Sequence, residues 1–542
     1  MLIASLALVG VADAVVGPAP DAAAPDAVAP DAVAPVVETP GVEAVSGRSV
    51  CALGDARDGA SAVVDVVRPG QAGDAPSSVA IDQHEGGGTV ASATARLFPG
   101  AAARTTVEVG EGGASDVRWS SAPTVTTRSW RTDGEDDLPP GTAAGPCVPG
   151  TAATSWTVPG LTTTGGADAR LRIANPHGTG ATVAVGFLTP EGPDDPTRLR
   201  NLSVGPRESI ELVVDEYAPE QDDLAAVVEV ASGRVAVEGV QLHRSDIGGI
   251  DGVSLLQAAT EPAETWTVPW SIGGEDRTSW LWIANRTDRS APVELTYHTE
   301  DGGTVPELLA EVSVPPGTVR RIDLTGTLPE GLESAALTAR SDGVPITVSG
   351  VAQLSADAVD DTGFAVQLGA PATDAIWTLT GTVREGRNEQ LRLINPGSAA
   401  ATVDATLWDG SQASQPDELT GIEVPPGALV IVPLQGLLVG APWWALTVRA
   451  SAGEVVAANV GQGDPDGPRH LVAGTGAPSA WWTTARSSER RAAPGTAQRL
   501  GTELGIGPID PLAPSEGTTP APPATEERDE AEGSAGPDAD AG

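Results

Sequence analysis

An internal repeat with a period of 110 residues is the feature that most constrains how this chain can fold. The motif LRIANP begins at Leu171, LWIANR begins at Leu281 and LRLINP begins at Leu391. The register then continues without a gap through matching residues: Val183, Val293 and Val403; Val204, Val314 and Val424; Pro206, Pro316 and Pro426; Gly233, Gly343 and Gly453. A fixed period of this kind is the signature of a repeat architecture, in which each copy forms one structural unit.

Each copy has the sequence pattern of β-structure. Short segments with partial apolar and polar alternation, such as ATVAVGFL from Ala181 and SIELVV from Ser209, are separated by Ser-Gly and Pro-Pro-Gly turn signals. About seven strands in roughly 110 residues match an immunoglobulin-like β-sandwich, whereas a propeller blade needs only about 40–50 residues. The predicted fold class is therefore all-β, with tandem immunoglobulin-like β-sandwich repeats.

Tryptophans divide into two groups. Trp156, Trp266 and Trp377 recur near the start of each copy, where a large apolar ring is expected to face the core. Their strands either open one sandwich only or also close the preceding one, and the pattern leaves both arrangements open. Two doublets have no counterpart in the first two copies, and a doublet in a strand points one ring outward. They form the candidate binding surface: Trp443, Trp444, Trp481 and Trp482.

The predicted segments follow from composition and from the repeat. Ala- and Pro-rich sequence before the first β-rich region predicts an extended linker, and an acidic end with few large apolar residues predicts a disordered tail. The segments are a signal peptide or signal anchor (1–17), a linker (18–45), a divergent N-terminal β domain (46–150), three sandwich repeats (151–261, 262–371 and 372–486) and an acidic tail (487–542).

Two features predict export. The apolar stretch Leu2–Ala12 is followed by a small-residue cleavage pattern, although it lacks a basic beginning, so cleavage, retention and an upstream start all stay open. Cys51 and Cys147 have neither CxxC nor zinc-ligand spacing, and they predict a disulfide, with two separate buried thiols as the alternative. The predicted location is extracellular or on the outer side of the membrane, with membrane contact only through the N-terminal segment.

Charge and motifs exclude several classes of function. The formal net charge of −42 argues against nucleic acid as a partner. No lysine is present, so a P-loop is excluded, and neither a GxSxG elbow nor a metal-ligand histidine pair occurs. The five histidines share no repeat position and are predicted to be exposed or structural. We therefore predict no catalytic residue, no cofactor-binding residue and no metal ligand.

The Trp-strand, Ile-Ala-Asn-Pro and Val-Pro-Pro-Gly units over residues 46–484 resemble an uncharacterised actinobacterial family of secreted or membrane-anchored proteins, domain-of-unknown-function family 5719. The resemblance implies an envelope location and carries over no reaction and no catalytic residue. The predicted function is a non-enzymatic extracellular scaffold or interaction protein with an envelope protein or glycan as partner. A glycan- or protein-binding module that uses the tryptophan doublets is the alternative, and a wall-polymer hydrolase is a more remote one.

Overall fold

A computed structural model describes residues 46–478 except 53–59, 70–75, 108–112, 133–137, 140, 150–152, 245–251, 273–276, 310–311, 329–330, 333, 355–362, 383–386 and 464–470. The predicted signal segment, linker and acidic tail lie outside the described residues. Strands dominate the described part, and its helices are single 3-10 turns: Thr197–Leu199, Val214–Glu216, Glu307–Leu309, Asp417–Leu419 and Gln435–Leu437. None of these helices is long and apolar enough to cross a bilayer. The all-β prediction is confirmed.

The first sandwich comes from the divergent region that precedes the repeats. Its strands are β1 (Ser46–Cys51), β2 (Ala60–Val67), β3 (Ser77–Glu85), β4 (Gly88–Leu97), β5 (Ala102–Thr106), β6 (Ala114–Ser120), β7 (Val125–Thr132), β8 (Gly141–Pro146) and β9 (Val148–Pro149). One antiparallel sheet has the strand order β4-β3-β6-β1-β9, and the other has the order β5-β2-β7-β8.

The first two 110-residue repeats form sandwiches with equivalent strands. Repeat 1 contains β10 (Ser155–Leu161), β11 (Ala167–Asn175), β12 (Ala181–Thr189), β13 (Gly192–Asp194), β14 (Leu202–Val204), β15 (Glu208–Val213), β16 (Leu224–Ser232), β17 (Ala236–His243) and β18 (Gly252–Gln257). Repeat 2 contains β19 (Thr265–Ile272), β20 (Arg277–Asn285), β21 (Ala291–Thr299), β22 (Gly302–Thr304), β23 (Val312–Val314), β24 (Thr318–Asp323), β25 (Ser334–Ser341), β26 (Thr347–Leu354) and β27 (Gly363–Leu368).

Repeat 3 adds one short strand to the same plan. It contains β28 (Ile376–Thr382), β29 (Arg387–Ile394), β30 (Ala401–Trp408), β31 (Ala413–Ser414), β32 (Ile422–Val424), β33 (Leu429–Pro433), β34 (Trp443–Ala452), β35 (Val456–Gly463), β36 (Leu471–Thr475) and β37 (Ala477–Pro478). In repeats 1 and 2 the tryptophan strand is at the edge of one sheet, as in β10-β16-β12-β13, whereas in repeat 3 the short β37 pairs outside it in the order β31-β30-β34-β28-β37. The facing sheet has the order β15-β11-β17-β18 or its equivalent.

Burial along β30 shows why these segments form two-layered structures. Its alternate residues Ala401, Val403, Ala405 and Leu407 are buried, and the residues between them are half-buried. A period of two places these apolar side chains on one face of the sheet, which then packs against the facing sheet.

Each tryptophan strand belongs to its own sandwich only. The end of each sandwich returns to pair with its tryptophan strand: Thr157 pairs with Ala259, Thr267 pairs with Ala370, and Trp377 pairs with Pro478 of β37. A tryptophan strand therefore does not close the preceding sandwich. That sandwich is closed by the segment that comes just before the next tryptophan strand in the chain.

The four sandwiches that the described residues form contact one another in a closed circuit. The last strands of their four-stranded sheets contact in the cycle β8, β18, β27, β36 and back to β8. The Val366 amide, for example, donates a hydrogen bond to Ser254 Oγ at 2.7 Å, which joins β27 to β18. The hydroxyls of Thr127 and Thr380 lie 2.5 Å apart and join the first sandwich to the third repeat. The repeat period predicts the sandwiches but does not predict this closure.

Candidate functional site

The predicted disulfide is present. Cys51 and Cys147 are bonded to each other, and both are buried in the core of the first sandwich. They lie where β1 pairs with β9, so the bridge connects the start and the end of this sandwich.

The recurring tryptophans lie in the cores, as predicted. Trp156, Trp266 and Trp377 are each 1% exposed. The indole N–H of Trp266 donates to the Ile346 carbonyl at 2.7 Å, and that of Trp377 donates to the Val455 carbonyl at 2.8 Å. These rings hold strands together within a sandwich and are not available to a ligand.

The doublet in β34 is not an open patch. Trp444 is 0% exposed and lies in the core of repeat 3, so the prediction that it belongs to a binding surface is wrong. Neighbouring side chains in a strand face opposite ways, and the ring of Trp444 is the one that points inward. Trp443 points outward and is half-buried, because the Arg104 guanidinium of the first sandwich lies 4.6 Å from its ring centre. Arg104 also pairs with Asp65 through Nε at 2.6 Å. Trp481 and Trp482 lie outside the described residues.

A repeated asparagine fixes the turn at the end of β11, β20 and β29. In the first of these turns, Asn175 Nδ2 donates to the carbonyls of Thr179 and Gly205 at 2.7 and 2.9 Å, and Oδ1 accepts from the His177 amide at 3.0 Å. Asn285 and Asn395 likewise donate to the carbonyl four residues later and accept from the amide two residues later. The asparagine side chain thereby fixes the backbone conformation of each turn, and each turn contacts a neighbouring sandwich.

A polar cavity of about 150 Å³ lies where the first of these turns meets the first sandwich. It is lined by residues of both sandwiches: Arg48, Asp82, His84, Thr89, Asp116, Arg118, Pro176, His177, Gly178 and Arg207. We call this space the junction cavity. Three arginines and two histidines around one small space make it the best candidate for a functional site in the described part of the chain.

Arg48 and Asp116 form the floor of the junction cavity. Arg48 Nε and Nη2 donate to the two carboxylate oxygens of Asp116 at 2.5 and 2.6 Å, and Nη2 also donates to the Pro176 carbonyl at 2.8 Å. Burial of Asp116 opposes ionisation, but contacts with His84 and Arg48 outweigh it, so the pKa of this carboxyl lies below its usual range. Asp116 is therefore a fixed anion that holds Arg48 across the junction.

His177 presents a neutral imidazole to the junction cavity. Arg48 Nη1 lies 3.0 Å from His177 Nδ1. Because guanidinium nitrogens only donate, Nδ1 accepts and the ring proton is on Nε2. Burial and the nearby Arg48 charge both lower the pKa of His177. The ring thus supplies one N–H donor without a formal charge.

Arg207 occupies a strained backbone position at the edge of the junction cavity. Its φ is +57°, a left-handed conformation that costs a residue with a side chain about 1–3 kcal/mol. The equivalent residues of the next repeats are glycines, Gly317 and Gly427, with φ of +65° and +71°. In all three turns this residue's amide donates to a carbonyl two residues after the repeated asparagine, as Arg207 does to His177 at 3.0 Å.

A side chain at the equivalent position would contact the neighbouring sandwich at each of the other junctions, tightly at two of them. A Cβ on Gly317 would lie 3.3 Å from Pro193 of the preceding repeat, and one on Gly427 would lie 3.1 Å from the Gly303 amide nitrogen. Gly100, the corresponding turn residue of the first sandwich, has φ of +76° and would meet Ala413 of repeat 3 at 3.5 Å. Only the junction between the first sandwich and repeat 1, among the four described, carries an arginine at this position.

Sequence reasoning missed this site. It assigned the five histidines to exposed or structural roles, yet His84 and His177 come together from different sandwiches. One signal was available: the sequence VGPR at 204–207 departs from VPPG at 314–317 and 424–427. Within the described residues, no group of three His, Cys, Asp or Glu side chains could hold a metal ion. The arrangement is suited to binding an anion through arginines.

The comparisons with known proteins place the chain in a family. The model of DUF5719, a family of unknown function, matches residues 120–374 and 329–479. The chain belongs to this family. DUF5719 covers the three repeats and the end of the first sandwich, so membership of family 5719, inferred from the tryptophan, asparagine and Pro-Pro-Gly motifs, is confirmed over residues 120–479. The function of this family is unknown.

Other comparisons add little to the DUF5719 assignment. No curated protein matches the chain. A solved structure from Thermotoga maritima, titled as the crystal structure of protein 1070, is 20% identical, covers 20% of this chain and 94% of that chain, and has a TM-score of 0.18. This likeness carries no argument about the chain.

Proposed function

We propose that this chain is a non-enzymatic scaffold or interaction protein of the cell envelope, exported to the extracellular side. The observation that carries the proposal is the closed circuit of four sandwiches. Polar side chains form hydrogen bonds between the sandwiches. Arg286 of repeat 2 donates to Ser155 Oγ of repeat 1 at 2.6 Å, and Trp282 Nε1 of repeat 2 donates to Asp223 of repeat 1 at 2.6 Å. Such contacts support a preformed platform that presents its surface to a partner without rearranging.

The disulfide supports the proposed location. Disulfides persist in oxidising compartments outside the cytosol and are rare within it. Cell fractionation with peptide mass spectrometry under non-reducing conditions tests this part: we expect the chain in the envelope or extracellular fraction with Cys51 and Cys147 bonded. Protein found in the cytosol with both thiols free would refute the proposed location.

The scaffold role is tested by crosslinking and recovery of the full chain from the envelope of its source organism. Ala445 is buried with Val67 and Ala102 where repeat 3 meets the first sandwich, so Ala445→Glu puts a charge into an apolar contact and opens the circuit. Ala452→Glu changes an exposed residue of the same strand and is the matched control.

We expect the native chain and Ala452→Glu to be recovered with the same envelope protein or glycan, and Ala445→Glu to lose it while keeping its strand content by circular dichroism. Recovery of no specific partner by the native chain refutes the scaffold role, and so does equal recovery by Ala445→Glu once limited proteolysis shows that its circuit is open. Turnover of a wall polymer by the purified chain would contradict the non-enzymatic assignment.

A further inference from the structure

The junction between the first sandwich and repeat 1 is the one described junction whose turn has an arginine in place of a glycine. At the other three, a glycine lets the neighbouring sandwich approach the turn closely, as described above for Gly100, Gly317 and Gly427. Here the turn carries Arg207, whose side chain is exposed, and the junction cavity lies beside it. A residue kept in a strained conformation where the fold otherwise uses glycine points to a role for its side chain.

The junction cavity is locally cationic in a strongly acidic chain. Arg48 and Arg118 are balanced by Asp116 and Asp82, with which they form ion pairs. Arg207 also lines the space, and its guanidinium forms no ion pair with any residue that the structure describes. The lining therefore has a formal excess of one positive charge, while the whole chain has a net charge of −42.

Donors around the cavity match one class of ligand. Guanidinium groups bind carboxylate and phosphate oxygens through paired N–H donors. The neutral His177 ring adds the Nε2–H donor deduced above from its contact with Arg48. A space of about 150 Å³ is similar to an engineered cavity that holds benzene, so it accepts a small group and not a polymer segment.

We propose that the junction cavity binds a small oxyanion, the carboxylate or phosphate group of a ligand, with Arg207 as its main cationic anchor. Arg48 is held in place by Asp116, which balances its charge, and it lines the cavity beside Arg207. The ligand group enters beside the exposed Arg207 and lies against residues of both sandwiches, so binding also links the first sandwich to repeat 1. This inference does not depend on the proposed scaffold function.

Isothermal titration of the full chain with inorganic phosphate and, separately, with acetate tests the proposal. We expect saturable one-to-one binding of at least one anion that weakens as chloride is added. Comparison of the two titrations distinguishes a phosphate ligand from a carboxylate ligand. Absence of saturable binding for both anions overturns the proposal.

Three variants locate the site. Arg207→Gly restores the residue of the other junctions, and we expect it to weaken binding about tenfold or more while the melting temperature stays the same or rises. Arg207→Lys keeps the charge and is expected to keep part of the affinity. Arg200→Ala removes an exposed arginine away from the cavity and is expected to bind as the native chain does.

Two results would overturn the assignment of Arg207. Unchanged binding by Arg207→Gly would mean that the anion lies elsewhere. A lower melting temperature of the same variant, together with equal loss of binding in Arg200→Ala, would mean that Arg207 is structural and that binding reflects overall charge.

Discussion

Replacement of the turn asparagine Asn285 by alanine should open repeat 2 locally. Asn285 is fully buried, and its Nδ2 donates to the carbonyls of Arg289, Val314 and Pro315 at 2.7, 3.0 and 3.1 Å. Its Oδ1 accepts from the Thr287 amide at 3.0 Å and from the Thr287 hydroxyl at 2.7 Å. Alanine removes all five contacts and leaves buried carbonyls without this donor.

The expected cost follows from those contacts. A typical intramolecular hydrogen bond contributes about 1 kcal/mol net, and a buried group left without a partner costs about 1–3 kcal/mol. Asn285→Ala should therefore lower the local free energy of unfolding by about 4–5 kcal/mol. Asn395 makes only three such contacts, to the carbonyls of Ala399 and Val424 and from the Gly397 amide, so Asn395→Ala should cost about 3 kcal/mol.

Native-state hydrogen exchange read by mass spectrometry measures this cost where it arises. Peptides from β20 and β24 should exchange faster in Asn285→Ala, because Asn285 ends β20 and bonds to the carbonyls of Val314 and Pro315 just before its paired strand β24. Asn201→Ala, at an exposed residue, is the control and should leave exchange unchanged. If Asn285→Ala lowers the opening free energy of these strands by less than about 1 kcal/mol, the turn is held by its backbone alone and the reasoning is refuted.

Three further changes probe the cores, the disulfide and a buried histidine. Trp266→Ala should cost about 3–5 kcal/mol in urea unfolding, whereas Trp443→Ala, which loses a half-buried ring, should cost clearly less; equal losses would contradict their different placement. Serine at both Cys51 and Cys147, 96 residues apart, should lower stability by about 4–5 kcal/mol, and an unchanged melting temperature would contradict this. Burial lowers the pKa of His243 to about 4, below the ordinary value of 6.5. The unfolded chain therefore takes up this proton first, and the resulting stability of about 3 kcal/mol, present above pH 6.5, is lost as the pH falls to about 4. His243→Gln should flatten that part of the pH–stability curve, and a curve of unchanged slope would contradict the assignment.

The sequence predicted what depends on local pattern and on repetition. Strand alternation and the core placement of Trp156 follow from residues within one repeat, and the structure confirms both. Closure of the circuit was not predicted, because its contacts join residues far apart in the chain. Arg104, which covers Trp443, belongs to a sandwich that does not share the repeat motifs.

The junction cavity was missed for a related reason. Its residues come from the first sandwich and from repeat 1, and neither set alone has a recognisable ligand spacing. A comparison of the repeats with one another identifies Arg207 as the residue that replaces glycine. Its significance becomes apparent only when the left-handed conformation at +57° and the neighbouring Arg48 are seen together.

Closure of the circuit also restricts how a chain of this type can evolve. In open repeat arrays each unit contacts only its neighbours, so units can be gained or lost at the ends. Here the first sandwich and repeat 3 also contact each other, through Thr127 with Thr380 and through Arg104 with Trp443. A duplicated or deleted repeat would separate these partners and expose both contact surfaces. Selection should therefore hold the number of sandwiches at four while surface loops remain free to diverge.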